Sequence, residues 1–184
     1  MVKKMVFFGI MVLSLVFLGA CSGDSPTEPE TTAPTGSTPD AGLAVEAGSQ
    51  VEGIAIDSVC HKYWFKVDVV SGTEYAFRTY DLTTDGSGND TDTYMYLFNE
   101  NAKAQLTDMD ITDLETHATN INDDCSNLCG PDPNSTTLQS TIIWTPDYTG
   151  TAYICVTTFE CSNGNSVLEN TVNPGYSFEV FVTP

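Results

Sequence analysis

Most of the chemistry this chain could perform would come from carboxylates. Asp85, Ser87, Asn89, Asp90 and Asp92 crowd one loop, and Asn122, Asp123 and Asp124 form a second acidic turn. Calcium takes about six to eight oxygens from carboxylates and loop carbonyls, so clustered Asp and Asn suit it. Asp85-Gly86-Ser87-Gly88-Asn89 has the spacing of an EF-hand start, but Asp90 stands where that loop needs glycine and Tyr96 where it needs glutamate. An EF-hand is excluded, and the expectation that remains is a loop site for calcium built from Asp90, Asp92, Asn122, Asp123 and Asp124. The competing explanation is turn stabilisation, because Asp and Asn side chains bond their own backbone. His61 and His117 lie in no nucleophile setting, and neither G-x-S-x-G nor H-E-x-x-H occurs. Two carboxylates could serve a glycosidase. With 25 Asp and Glu in 184 residues, however, any pair is uninformative. No catalytic residue is expected.

Six cysteines offer a different chemistry. Cys21 closes Leu18-Gly19-Ala20-Cys21, directly after an apolar run from Met5 to Phe17 that follows Lys3 and Lys4. That run fits a secretory h-region of roughly 7–15 residues and is too short for a span of about 20. The arrangement resembles the bacterial lipoprotein signal. The resemblance implies cleavage before Cys21, acylation (palmitate among the acyl chains) and a membrane anchor outside the cytoplasm. Two or more acyl chains hold stably, at about 0.8 kcal/mol per buried CH₂. Ser22, rather than Asp, follows the cysteine, which favours the outer membrane if the source is diderm.

The other five cysteines are Cys60, Cys125, Cys129, Cys155 and Cys161. Export permits disulfides, and an odd number leaves one thiol over. Cys125–Cys129 is the preferred local bridge, across a turn-rich segment. Cys60, Cys155 and Cys161 compete for the second. Irregular spacing and the lack of a CxxC pair argue against zinc.

Residues 21–45 read as a disordered Pro/Thr-rich linker. They hold too few bulky apolar side chains to offset chain entropy, and their prolines favour an extended spacer. The chain carries −19, and loss of the two lysines in residues 1–20 makes it more negative by two. Nucleic acid is excluded as a partner, since its affinity comes from Lys and Arg. Anionic lipid is repelled too, so only the acyl anchor holds the domain at the membrane.

From residue 46 to 184 the period is two. Tyr63, Phe65, Val67 and Val69 alternate with Lys62, Trp64, Lys66 and Asp68, the pattern of a half-buried strand. Ser71-Gly72 predicts a hairpin into Thr73–Tyr80. Asp92–Phe98 is apolar on both faces and predicts a central strand. Further strands are expected at Val51–Ile56, Leu138–Trp144, Thr151–Thr158 and Tyr176–Val182. In residues 102–121, Asp108–Glu115 could form a short helix, but its threonines and aspartates favour a loop. Many short strands with turns between them predict an all-β, antiparallel β-sandwich of jelly-roll type. Trp64 and Tyr80, opposite the core faces, are the expected exposed aromatics and a candidate ligand surface.

In order, these pieces resemble the bacterial pre-peptidase C-terminal domain. The match runs through His61-Lys62-Tyr63-Trp64-Phe65-Lys66-Val67, Ser71-Gly72-Thr73, Asp92–Phe98 and Asn122-Asp123-Asp124. It continues with Trp144-Thr145-Pro146, Thr149–Val156 and Gly175–Val180. The resemblance implies a jelly-roll-like sandwich without catalytic residues, related to the collagen-binding domains of clostridial collagenases, which bind calcium. No peptidase is expected ahead of the domain, and an insertion with the cysteine segment is expected to enlarge the loops around Asp123-Asp124. The expected function is a surface-exposed binding or adhesion module for matrix, cell-wall glycan or protein. An accessory subunit of a separate secreted peptidase or glycosidase is the alternative, and a hydrolase a lesser one.

Overall fold

The computed structural model describes residues 36, 38–58, 60–82, 91–125, 138–162 and 175–184. Cys21, Asp90 and Cys129 lie outside the described residues, as do the signal segment and the linker through residue 35. In chain order the elements are β1 (Leu43–Ala44), β2 (Gln50–Ala55), β3 (Tyr63–Val69), β4 (Tyr75–Tyr80), β5 (Thr93–Phe98), α1 (Glu100–Lys103) and α2 (Ile111–His117). They continue with β6 (Asn120–Asn122), β7 (Thr141–Trp144), β8 (Gly150–Thr158), α3 (Phe159–Ser162) and β9 (Gly175–Val182). One sheet has the order β1-β3-β8-β5-β6 and the other β2-β9-β4-β7. Every pairing is antiparallel except β1 with β3. This is an all-β sandwich.

The inner faces are the ones alternation predicts. Tyr63, Phe65, Val67 and Val69 of β3 meet Tyr176, Phe178 and Val180 of β9 in one buried cluster. Phe65 and Phe178 stack across the two sheets with ring centroids 4.0 Å apart. Burial of such a ring contributes about 1.5–3 kcal/mol. β5 is an interior strand, between β8 and β6.

Three expectations are corrected. First, β3 and β4 do not form a hairpin. β3 pairs with β8, whereas β4 pairs with β7 and β9 in the opposite sheet. Gly72, at φ +78°, helps the chain arch over the end of the sandwich. Its N–H donates to the Pro146 carbonyl at 2.9 Å, and Ser71 N–H to Thr149 Oγ1 at 3.1 Å. Tyr63 and Phe65 of β3 and Tyr75 and Phe77 of β4 all belong to the core between the sheets, and they face one another because the two strands lie in different layers.

Second, Trp64 is not exposed. It is fully buried with Tyr96, Phe98, Ala102, Leu114, Tyr153 and Cys155 in a second cluster outside the five-stranded sheet. The cover includes Ala102 of α1 and Leu114 of α2, the short helix in a segment whose composition favoured a loop. Its aspartates are caps rather than loop formers. Asp110 Oδ1 accepts from Asp113 N at 2.8 Å, and the Asp113 carboxylate accepts from the N–H groups of Thr107, Asp108 and Met109. Tyr80, the other aromatic expected to be exposed, is half-buried.

Third, order begins before residue 46. β1 pairs with β3, Val45 joins the core, and Trp64 N–H donates to the Gly36 carbonyl at 3.2 Å. Gly42 permits this approach, since a Cβ there would meet the Trp64 carbonyl oxygen at 3.0 Å.

Candidate functional site

Of the predicted metal residues, Asp92, Asn122, Asp123 and Asp124 are described, and they lie toward the end of the sandwich where β3 begins and β5 enters. Asn122 closes β6, and its Oδ1 accepts from Thr141 N–H at 2.9 Å. The Asp123 carbonyl accepts from Ser140 Oγ at 3.2 Å. Ser140 Oγ also donates to the Thr93 carbonyl at 2.6 Å, and Ser140 N–H donates to Thr79 Oγ1 at 2.8 Å. The Thr79 and Thr93 hydroxyls are 2.7 Å apart. All three of these residues are buried, and they clamp β4 and β5, from opposite sheets, to the segment leading into β7. Sequence reading missed this network, because lone Ser and Thr residues carry no periodic signal.

The turn thus ties down the segment leading into β7 through the Asn122 side chain and the Asp123 main-chain carbonyl. Burial pushes the Asp123 carboxyl up, and the neighbouring Asp124 charge adds to the effect. Asp92, Asp123 and Asp124 do not converge: among the described residues no three His, Cys, Asp or Glu could hold a metal ion.

The cysteines divide clearly. Cys60, ahead of β3, is bonded to Cys161 in α3, with Cα atoms 5.0 Å apart and 101 residues between them in sequence. Cys125 is disulfide-bonded, and its partner is outside the described residues. Cys155 is a free thiol, buried in β8 between Trp64 and Tyr96 in register. Desolvation pushes its pKa up, the reverse of what a reactive cysteine needs. The histidines are engaged as well. His61 bonds Asp57 through Nδ1 and stacks on Tyr63, with centroids 4.9 Å apart. His117 Nε2 lies 3.6 Å from Asp113 one helical turn earlier.

The opposite end presents a recess. Asn99, Glu100, Asn101, Asp147 and Tyr148 line a cleft of about 330 Å³ between the β5–α1 and β7–β8 connections. Asn99 is the N-cap of α1, with Oδ1 accepting from Ala102 N at 2.8 Å. Tyr148 is fixed by its hydroxyl, which donates to the Thr151 carbonyl at 3.0 Å, and by its ring against Trp144. Burial, then the charges of Glu100 and Asp147, push the Tyr148 hydroxyl up to about 12. Tyr153 is also pushed up to about 12, by burial first and then by its hydrogen bond to Glu100 and that carboxylate's charge. Lys103 Nζ lies 5.0 Å from the centre of the Tyr153 ring and 2.5 Å from Asp40 Oδ1. No sequence signal pointed to this cleft, because its walls come from segments almost fifty residues apart.

No family model matches the chain, and no curated protein matches it. Several solved structures are similar, three of them as follows. One is the pre-peptidase C-terminal domain of a collagenase from Bacillus anthracis, at 9% identity over 76% of this chain and 93% of that one, with a TM-score of 0.44. A second is PliG from Aeromonas hydrophila, a periplasmic inhibitor of g-type lysozyme, at 12% identity, 77% and 96% coverage and a TM-score of 0.41. The third is CorA, a surface-associated copper-binding protein of Methylomicrobium album BG8, at 9% identity, 77% and 98% coverage and a TM-score of 0.42. The family that the motif order resembles is thus among the structural neighbours. Likenesses this distant carry no argument about ligand or activity.

Proposed function

We propose that this chain is a non-catalytic binding module, anchored by lipid at Cys21 and displayed outside the cytoplasm. The observation that carries the reading is the polar–aromatic cleft at one end of a disulfide-braced sandwich, set against engaged histidines and a shielded thiol. A binding surface needs rigid recesses with a few placed polar groups, and the Glu100–Asp147–Tyr148 cleft has that character. The Cys60–Cys161 bond supports an oxidising compartment. Among the described residues no helix is long and apolar enough to cross a membrane, so nothing in them competes with an acyl anchor.

Two measurements test the reading. Labelled palmitate should enter the wild-type protein and not Cys21→Ala. Panels of peptide and glycoside substrates should remain intact with the purified protein, and turnover of any of them would replace the module with a hydrolase. The accessory-subunit alternative predicts that the protein changes the rate of a co-secreted peptidase or glycosidase. Calcium now depends on Asp90 joining Asp92 or the Asp123–Asp124 pair. Scanning calorimetry should then show a rise in Tm with calcium that chelator reverses, and an unchanged Tm leaves turn stabilisation as the whole role of these acids.

A further inference from the structure

We propose that the end of the sandwich formed by the β3–β4, β5–α1 and β7–β8 connections and the end of β9 docks a protein surface that is both basic and apolar. The inference rests on the binding-module reading and supplies its partner class.

Two independent properties meet at this end. The first is apolar exposure. Among the described residues the exposed large hydrophobic side chains are Val70, Val182 and Ile143, at 54%, 49% and 37%. All three surround the start of β4. Val182 is the register partner of Tyr75, Ile143 is that of Ala76, and Val70 N–H donates to the Tyr75 hydroxyl at 3.0 Å. Isolated exposed valines are ordinary, but Val70 and Val182 lie together at this end, with Ile143 beside them on the outer face of the four-stranded sheet.

The second property is charge. Residues 68–74, 98–101, 144–151 and 181–184 hold Asp68, Glu74, Glu100 and Asp147 and not one Lys, Arg or His. A partner burying the valines must also neutralise this rim. A second copy of the chain would bring the same four carboxylates against it, and nucleic acid or anionic lipid would be repelled. A neutral glycan would leave the charges unanswered. Lysine or arginine around an apolar centre answers both properties. Lys103, seated between the Tyr153 ring and Asp40, shows how a cation settles beside this rim.

The experiment uses the full chain in neutral detergent and three labelled peptides: alternating Leu–Lys, alternating Leu–Glu and oligolysine. Fluorescence anisotropy should show binding of Leu–Lys, weaker binding of oligolysine and none of Leu–Glu. Glu100→Gln with Asp147→Asn should weaken Leu–Lys binding about tenfold, the equivalent of 1.4 kcal/mol, and Val70→Ser with Val182→Ser should weaken it comparably. Asp123→Asn with Asp124→Asn, at the other end, should change it less than about twofold, since distant surface charges are screened. Equal loss from both carboxamide pairs would assign binding to net charge and overturn the proposal. An inert valine pair, or a dimer in sedimentation that Val182→Ser dissolves, would overturn it as well. Mass spectrometry separates the two failures: an intact but unbound peptide removes only this inference, while a cleaved peptide removes the binding-module reading beneath it.

Discussion

At the Cys60 end of the sandwich, polar groups are spent on structure: a disulfide gathers two distant connections, and Thr79, Thr93 and Ser140 bond one another and the acidic turn. At the Val70 end, the connections are short, the aromatic rings of Trp144 and Tyr148 close the core, and several carboxylates and valines are left facing solvent. Both ends are acidic. They differ in what their polar groups join: at the Cys60 end Thr79, Thr93 and Ser140 tie the two sheets together in the interior, whereas at the Val70 end Asp68 and Glu74 accept from the Thr151 and Thr183 hydroxyls at the surface.

The largest effect should come from Cys60→Ser with Cys161→Ser. The chain-entropy model gives about 4–5 kcal/mol for a loop of roughly this length, readable as a lower urea midpoint at unchanged m-value. Next is Ser140→Ala, which removes the donor shared by the Thr93 and Asp123 carbonyls. A loss of about 1–3 kcal/mol is expected. A smaller loss would mean that the clamp between the sheets is ornamental and that the two ends are more alike than described.

Two aspartates sharpen the contrast through pH. At Asp113, burial raises the pKa, but bonds from the N–H groups of Met109, Thr107 and Asp108, with the His117 charge, outweigh it, so the carboxyl sits below its usual value. Its contribution to stability is present above the unfolded-state pKa and is lost as pH falls through the folded one. Asp123 is raised, so the opposite sign holds: it opposes folding at neutral pH, and that cost disappears as pH falls below its folded pKa. Thermal melts across acid pH should therefore show Asp113→Asn flattening the acid loss of stability, and Asp123→Asn raising Tm at neutral pH while matching wild type in acid. The smallest stability change, within about 0.5 kcal/mol, belongs to Glu100→Gln with Asp147→Asn on the surface. That pair should instead shift tyrosine ionisation, followed by ultraviolet absorbance, to lower pH as the field on Tyr148 and Tyr153 is relieved.

Much of the fold was legible in the sequence. Alternation through Tyr63–Val69 and Tyr176–Val182 marked the strands and their inward residues, because a strand facing one core must repeat every second residue. Trp64 and α2 were misread for one reason. Trp64 sits on the polar-looking face of β3, and only a second layer, capped by Asp110 and Asp113, makes that face an interior.

By itself the sequence determined the local quantities: an apolar amino-terminal run closed by Cys21, strands from period two, the sign of the surface charge and the absence of a recognised catalytic motif. The tertiary structure alone decided that β3 and β4 lie in opposite sheets, that Cys60 takes Cys161 and leaves Cys155 free, and that Glu100 and Asp147 share a cleft. Each of those facts concerns residues brought together from distant parts of the chain. Periodicity records which way a side chain points from its own backbone, whereas pairing depends on which other backbone arrives beside it.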